Sequence, residues 1–277
     1  MPVVLTESLR TYSARWYGVI PRRRSRRQYD SARPIPDDLM SRVRAVCADF
    51  RPFPGAWAEI LPAPANSVFW SLAGSYGKVK EADVVIAFIG NTGEPEYQAE
   101  VGYTGEGVIL EVTALGLGTC WVGGFFRPAL VRQMLRLEKG ERVLAVTPVG
   151  FAQEALSAEE SVMAGLAHRD RRRPLDELVK GQNSREWAEW VRISLEAARL
   201  APSAMNRQPW GFNIESDGIT VRVGTKGPQW TISKRLDCGI AMLHLEVAAL
   251  NCGVGGSWEW LKPPGVARFT VRPLDKR

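Results

Sequence analysis

The chain has 277 residues, 45% of them hydrophobic and 24% charged, which is the composition of a globular protein with a substantial core and room for one large domain or two ordinary ones. No apolar run approaches the roughly 18 residues of a helical membrane span. The net charge is +6, and 28 of the 36 basic residues are arginine. They gather at 22–27 and 169–173, and two compact clusters suit a small phosphate better than a long nucleic-acid duplex.

The start, Met1–Tyr17, is polar and lacks the apolar stretch of a secretory leader, so a cytoplasmic location is expected. Residues 84–89 form an apolar run ending at Gly90 and predict a buried strand. A helix follows over about 98–115, with Val101, Val108, Ile109, Val112 and Leu115 on one face and Gly116 as its stop. Residues 119–126 are apolar with two glycines. Pro128 opens a short helix to about Leu137, and Val143–Val149 predict another buried strand. From about 152 to 182 the chain is polar and charged, as a surface connection would be. A helix over about 185–200 stops at Ala201-Pro202, since proline forces extended geometry on the residue before it. Residues 210–215 and 219–223 flank Ser216-Asp217-Gly218, a hairpin turn. A last helix covers about 238–251, with Ile240, Leu243, Val247 and Leu250 on one face.

The two halves carry a weak internal repeat. Glu111-Val-Thr-Ala-Leu-Gly-Leu-Gly118 matches Glu246-Val-Ala-Ala-Leu-Asn-Cys-Gly253 at five of eight positions. Each octet closes an amphipathic helix and leads into glycines, at Trp121-Val-Gly-Gly124 and Val254-Gly-Gly256.

Side-chain chemistry is sparse. Cys47, Cys120, Cys238 and Cys252 form no C-x-x-C pair and lie in apolar contexts, which predicts buried, reduced thiols. The two histidines, His168 and His244, have no neighbouring motif for a zinc site or a Ser-His-Asp triad. No metal is expected, and any chemistry would come from a cofactor.

Four motifs could hold one. Arg22-Arg-Arg-Ser-Arg-Arg27, with Tyr29 behind it, offers cationic forks and a hydroxyl to a phosphate, or is a solvated basic turn. Ala201-Pro-Ser-Ala-Met-Asn-Arg-Gln-Pro-Trp210 is stiffened by two prolines, and Ser203, Asn206 and Gln208 can bond the polar edge of a planar heterocycle. Gly116-Leu-Gly-Thr-Cys-Trp-Val-Gly-Gly124 lacks dinucleotide spacing and follows a helix, but its glycines let backbone approach a flat ligand. Arg171-Arg-Arg-Pro-Leu-Asp-Glu-Leu178 could close on the same phosphate or be a solvated charge run.

Together these motifs resemble the FMN-dependent nitroreductase family. The likeness rests on R-R-S-x-R-x-Y, A-P-S-x-x-N-x-Q-P-W, G-L-G-x-x-W-x-G-G, a strand ending V-x-x-V-G-F, and R-x-P-L-x-E-L, and touches most of residues 20–256. One departure in order stands out. The place that should carry the A-P-S loop, Phe50-Arg-Pro-Phe-Pro-Gly-Ala-Trp57, is degraded, and the intact loop lies in the second half. Around Gln182-Asn-Ser-Arg185 only fragments of the arginine motif remain. This is similar to a branch in which two nitroreductase-like halves are fused as an internal pseudo-dimer, leaving one complete site and one ruined one.

The resemblance implies an α+β fold with a mixed, largely antiparallel sheet in each half: residues 1–152 and 183–277, joined by an arm at 153–182 that carries the second basic cluster. It implies that Arg23, Arg24, Ser25 and Arg27 hold the FMN phosphate and ribityl, with Arg172 and Arg173. Pro202, Ser203, Ala204, Asn206 and Gln208 would line the ring from the other half. Trp121, Val122, Gly123 and Gly124 would lie along the isoalloxazine with a backbone N–H near N5; Tyr76 and Lys78 are further candidates. The activity implied is ping-pong reduction of nitro, quinone or similar small acceptors by NADH or NADPH, in a monomer without nucleic-acid or membrane partners. Two alternatives stay open: a flavin-binding protein without turnover, if Trp121 and the group Trp230, Trp258 and Trp260 cover the substrate face, and a nucleic-acid or anion-binding protein.

Overall fold

The computed structural model describes residues 6–63, 66–69, 79, 82, 84–153, 171–181, 184–224 and 232–272. Tyr76, Lys78, His168, Arg169 and Trp230 lie outside them. Among the described residues no helix is long and apolar enough to cross a membrane.

Helices α1 (Thr6–Val19) and α2 (Asp37–Asp49) lead into β1 (Ala56–Ile60), β2 (Val84–Asn91), α3 (Tyr97–Ala114), β3 (Gly118–Thr119), α4 (Pro128–Leu135) and β4 (Glu141–Gly150). The chain continues through α5 (Leu175–Leu178), β5 (Val179–Gly181), α6 (Glu189–Arg199), β6 (Trp210–Glu215), β7 (Gly218–Val223), α7 (Lys234–Asn251), β8 (Gly255–Trp260) and β9 (Gly265–Arg272). The first sheet runs β1-β2-β4-β3, all antiparallel. The second runs β5-β6-β7-β9-β8, antiparallel except for the β5–β6 edge. The arm expected to be surface connection therefore adds an edge strand to the second sheet, and Leu178 beside it is buried.

The duplication is explicit in the topology. Mapping β1, β2, β4 and β3 onto β6, β7, β9 and β8 turns one strand order into the other. A shift of 137 residues carries both ends of α3 onto both ends of α7. The same shift places Gly116 (φ +80°) on Gly253 (φ +76°), the left-handed stops that end the two helices. It also places Gly118 on Gly255 and Trp121 on Trp258. The octet match at Glu111 and Glu246 is thus out of step by two residues: identity favoured one register, helix ends and turn geometry fix another.

Alternation positions β2. Ile86 and Phe88 face the main core, whereas Val85, Ala87 and Ile89 join a second cluster under α4 with Val131 and Phe126. The order of layers is first sheet, α3, α7, second sheet, with α1 laid across both helices and α6 against α7. Gly102 and Gly239 set the α3–α7 crossing. A Cβ on Gly102 would enter the Leu236 carbonyl, and one on Gly239 the Ala99 carbonyl, closer than real Cβ atoms approach. This central position overturns the expected one-sided helices. Ala99–Val112 of α3 and Leu236–Leu250 of α7 are buried all round. Glu106, Glu111, Asp237, Glu246 and His244 are paired inside the core instead of forming a wet face.

Candidate functional site

The arginine segment leaves α1 in a turn, with Arg22 and Arg23 donating backbone N–H to Val19. It then runs beside the glycine strip: Ser25 bridges Thr119, and Arg26 donates its backbone N–H to the Thr119 carbonyl at 2.8 Å. Tyr29 anchors this run by donating its hydroxyl to the Arg26 carbonyl at 2.6 Å, its ring packed over Gly118 and Gly150. Arg23 turns inward and is only 7% exposed, with Nε 3.9 Å from Glu106 Oε1. Arg24 is exposed and donates to the carbonyls of its own turn, Pro21 and Arg23. Arg27 is half-buried.

The strip itself is tied to β4 by reciprocal bonds between Val122 and Val146, each 2.9 Å. The Trp121 ring packs on Phe88, and its indole N–H donates to Glu106 Oε2 at 2.7 Å. Gly123 and Gly124 follow toward the surface, where a Cβ on Gly123 would press on Ile232 of the second half.

The loop after α6 is strained and heavily tied. Met205, Asn206 and Gln208 all hold positive φ (51°, 53° and 44°), unfavourable for non-glycine residues. Ser203 Oγ accepts from the Gln208 N–H at 2.9 Å. Arg207 is buried against Asp237 at 2.7 Å and donates to the Ile232 carbonyl at 2.8 Å; Asp237 also accepts from the Ala204 N–H. Burial pushes Asp237 up to about 6 against the pull of Arg207. The second basic cluster is fastened to this loop. Arg172 donates to Asn206 Oδ1 at 2.6 Å and to the Leu200 carbonyl, and the Gln208 amide spans the Arg171 carbonyl and the Arg173 N–H. Pro202 and Gln208 are buried, while Ser203, Ala204 and Asn206 are partly exposed.

Two contact chains bring these pieces together across the halves. One runs from the Trp121–Gly124 strip through Ile232 to Arg207. The other runs from Arg23 through Glu106 and His244 to the Ala197 carbonyl, one turn before Leu200. His244, which the sequence left without a suitable neighbour, is fully buried between Glu106 and Ala197. Glu106, Arg207, Asp237 and His244 escaped the sequence reading. The available signal was an acid or histidine set within otherwise apolar helix sequence.

Trp258 and Trp260 do not cover this site. Trp258 is buried with its indole N–H on Glu246 at 2.6 Å, and Trp260 packs on Phe53 at 5.4 Å, in the position equivalent to the Trp121 strip. All four thiols are free, but Cys252 is only half-buried, unlike Cys47, Cys120 and Cys238. Burial pushes the Cys47 thiol up to about 12, which keeps it protonated and inert. Among the described residues no group of three or more His, Cys, Asp or Glu could hold a metal.

The family model described as "Putative TM nitroreductase" matches residues 16–249 of the chain. The chain belongs to this nitroreductase family. Its fold is also that of a Thermotoga maritima crystal structure described as "a putative nitroreductase", with TM-score 0.62 and 18% identity over 93% of this chain and 94% of that one. Smaller nitroreductase-family structures align over half of it. One from Clostridium novyi aligns with 18% identity and TM-score 0.42 over 50% of this chain and 86% of its own. An FMN-dependent nitroreductase from Clostridium difficile aligns with 15% identity and TM-score 0.42 over 51% and 90%. No curated protein matched the sequence. Within this nitroreductase-family chain, the first half carries the arginine segment and the glycine strip, and the second half carries the strained loop.

Proposed function

We propose that this nitroreductase-family chain is an FMN-dependent oxidoreductase that uses NADH or NADPH to reduce nitro, quinone or similar small acceptors. The observation that supports it is the convergence of Arg23–Arg27, Trp121–Gly124 and Ser203–Gln208 from two halves of one chain. The donor set fits the cofactor: forked cations and the Ser25 hydroxyl suit a phosphate, and glycine backbone at 123–124 suits the approach of a flat ring. When bound, FMN would take a hydride from the nicotinamide and pass electrons to the acceptor in ping-pong fashion.

In this reading Ser25 and Arg27 bind the phosphate and ribityl, with Arg23 supporting them from beneath. The Trp121–Gly124 backbone and Ser203–Ala204 orient the ring. Arg172 and Arg173 act mainly by fixing the loop through Asn206 and Gln208. No side-chain acid or base is assigned.

One flavin per chain is proposed, dividing the molecule near 152 and 183 into donor halves. The equivalent place in the other half is filled. Its α2–β1 connection, Phe50–Gly55, is four residues shorter than the α6–β6 connection, Leu200–Pro209. Phe53 there is buried against Tyr103 and Trp260.

The test is spectroscopic. Purified protein, or protein given FMN, should show a bound-flavin spectrum that NADH or NADPH bleaches anaerobically and a nitroaromatic or quinone restores. Protein that takes up no FMN overturns the reading. Flavin that neither nucleotide bleaches replaces the reductase with a flavin carrier.

A further inference from the structure

Glu106 binds no cofactor atom in this reading, yet it touches the arginine segment at Arg23 and the glycine strip at Trp121, and it reaches α6 through His244. It is fully buried on α3. Oε2 accepts the Trp121 indole N–H at 2.7 Å; Oε1 lies 2.9 Å from His244 Nε2 and 3.9 Å from Arg23 Nε. The other imidazole nitrogen, Nδ1, lies 3.0 Å from the Ala197 carbonyl, which has no proton to give, so Nδ1 carries one. The Nε2–Oε1 contact then needs a second proton, on the ring or on the carboxyl. In either form it ties α3 to α7 and, through Ala197, to the last turn of α6 that opens the loop at Ala201. A buried carboxylate is expensive to desolvate, and a leucine or methionine of similar volume would fill the space at less cost. A carboxyl at this buried position is accounted for by what its two oxygens hold.

Resting on the flavin reading, we infer that Glu106 is the positioning residue of the site, fixing the Trp121 indole and the Arg23 guanidinium where the cofactor binds. Tryptophan in the glycine strip has two soft torsions. Without the bond only packing on Phe88 opposes rotation of the ring toward the Gly123–Gly124 surface, where the flavin would lie. Glutamine can replace the acid: its oxygen accepts from Trp121 and its amide donates to neutral His244.

The test is a double-mutant cycle in FMN affinity, read by quenching of flavin fluorescence, with the visible spectrum of bound flavin recorded beside it. Glu106→Ala should weaken binding at least tenfold and shift the flavin band. Glu106→Gln should stay within about threefold of wild type. Trp121→Phe removes the indole N–H but keeps an aromatic ring, and in that background Glu106→Ala should lose most of its effect. If Glu106→Ala lowers the melting temperature while leaving affinity and spectrum unchanged, or if the two effects simply multiply, the inference fails. Should Glu106→Ala not fold, Trp121→Phe decides alone: unchanged affinity and spectrum overturn the assignment. Wild-type protein that binds no FMN instead overturns the functional reading on which this one stands.

Discussion

Arg23 and Arg27 lie in one short segment but differ in burial, and this separates their expected effects. Arg27 is half-buried, so Arg27→Ala should remove a charge-assisted bond worth roughly 1.5–3 kcal/mol, about ten- to hundred-fold in FMN affinity, and weaken FMN retention much more than it lowers apoprotein stability. Arg23→Ala should weaken binding and also lower the melting temperature, because it takes a cation from beside buried Glu106. Dialysis and thermal unfolding read the two properties; an Arg27→Ala protein that keeps flavin as wild type does would refute the phosphate assignment. A second prediction concerns Glu246, whose Oε2 accepts from Tyr103 and Trp258 while Oε1 is buried with no hydrogen-bond partner among the described residues. Burial pushes it up to about 7, outweighing those two bonds, and burial with Glu94 and Glu96 nearby pushes Glu100 to about 7 as well. Both values are raised above the unfolded one. The stability they contribute is therefore full below about pH 4.5 and lost as pH rises through 7, for Glu246 on the order of 3 kcal/mol. Chemical denaturation at pH 5 and pH 8 should show the higher stability at pH 5, and Glu246→Gln should flatten the difference. An unchanged slope in that variant would show that other groups set it. The arginines, Ser25 and the 201–210 loop were legible because exposed motifs keep their chemistry in the sequence. Glu106 and His244 were not, since each has its partner 138 positions away and alone reads as a polar interruption of an apolar helix.

At the scale of elements, the α3–α7 crossing is the feature most exposed to test. Gly102 and Gly239 face backbone carbonyls that have no torsion with which to move aside. Gly102→Ala or Gly239→Ala should force the helices apart and destabilise by about 1–3 kcal/mol or more, against the small gain in helix propensity that alanine gives at an exposed site. Urea unfolding measures this directly; a neutral or stabilised variant would mean that the crossing tolerates more separation than the structure indicates. Strands β2, β4, β6 and β7 and helices α3, α6 and α7 were readable because apolar runs and turn residues bound them. α1 was hidden by its arginines and serines, although Leu9 and Trp16 are fully buried and the Trp16 N–H bonds Glu111 at 2.8 Å. The repeat was visible but misregistered. The octet aligned shared letters, whereas the conserved physical demands are a left-handed glycine at 116 and 253, a glycine at the crossing at 102 and 239, and a tryptophan at 121 and 258 with its indole N–H on a buried glutamate.

For the whole molecule, the question is whether one chain suffices. The face through which each half would meet a partner is already covered: α3 and α7 bury one another between the two sheets, with one continuous core spanning both halves. The arginine segment and the strained loop are joined within the chain by Glu106–His244 and by Gly123–Ile232–Arg207. The protein should therefore bind FMN as a monomer, at one flavin per chain, because Phe53 and Trp260 fill the equivalent position. Binding across the halves should also resist their separation. A ligand that binds only the docked form stabilises it by RT ln(1 + [L]/Kd), about 2.7 kcal/mol at a hundredfold excess over Kd, so the melting temperature should climb with FMN concentration and level off only logarithmically. Light scattering at micromolar concentration, with flavin absorbance followed through the same column and released flavin quantified against protein, tests both parts. A ratio near two would show that the aromatic plug opens to admit a second cofactor. Flavin confined to a dimer peak, beside a colourless monomer, would show that the site is completed between chains and that the fusion of halves does not replace dimerisation.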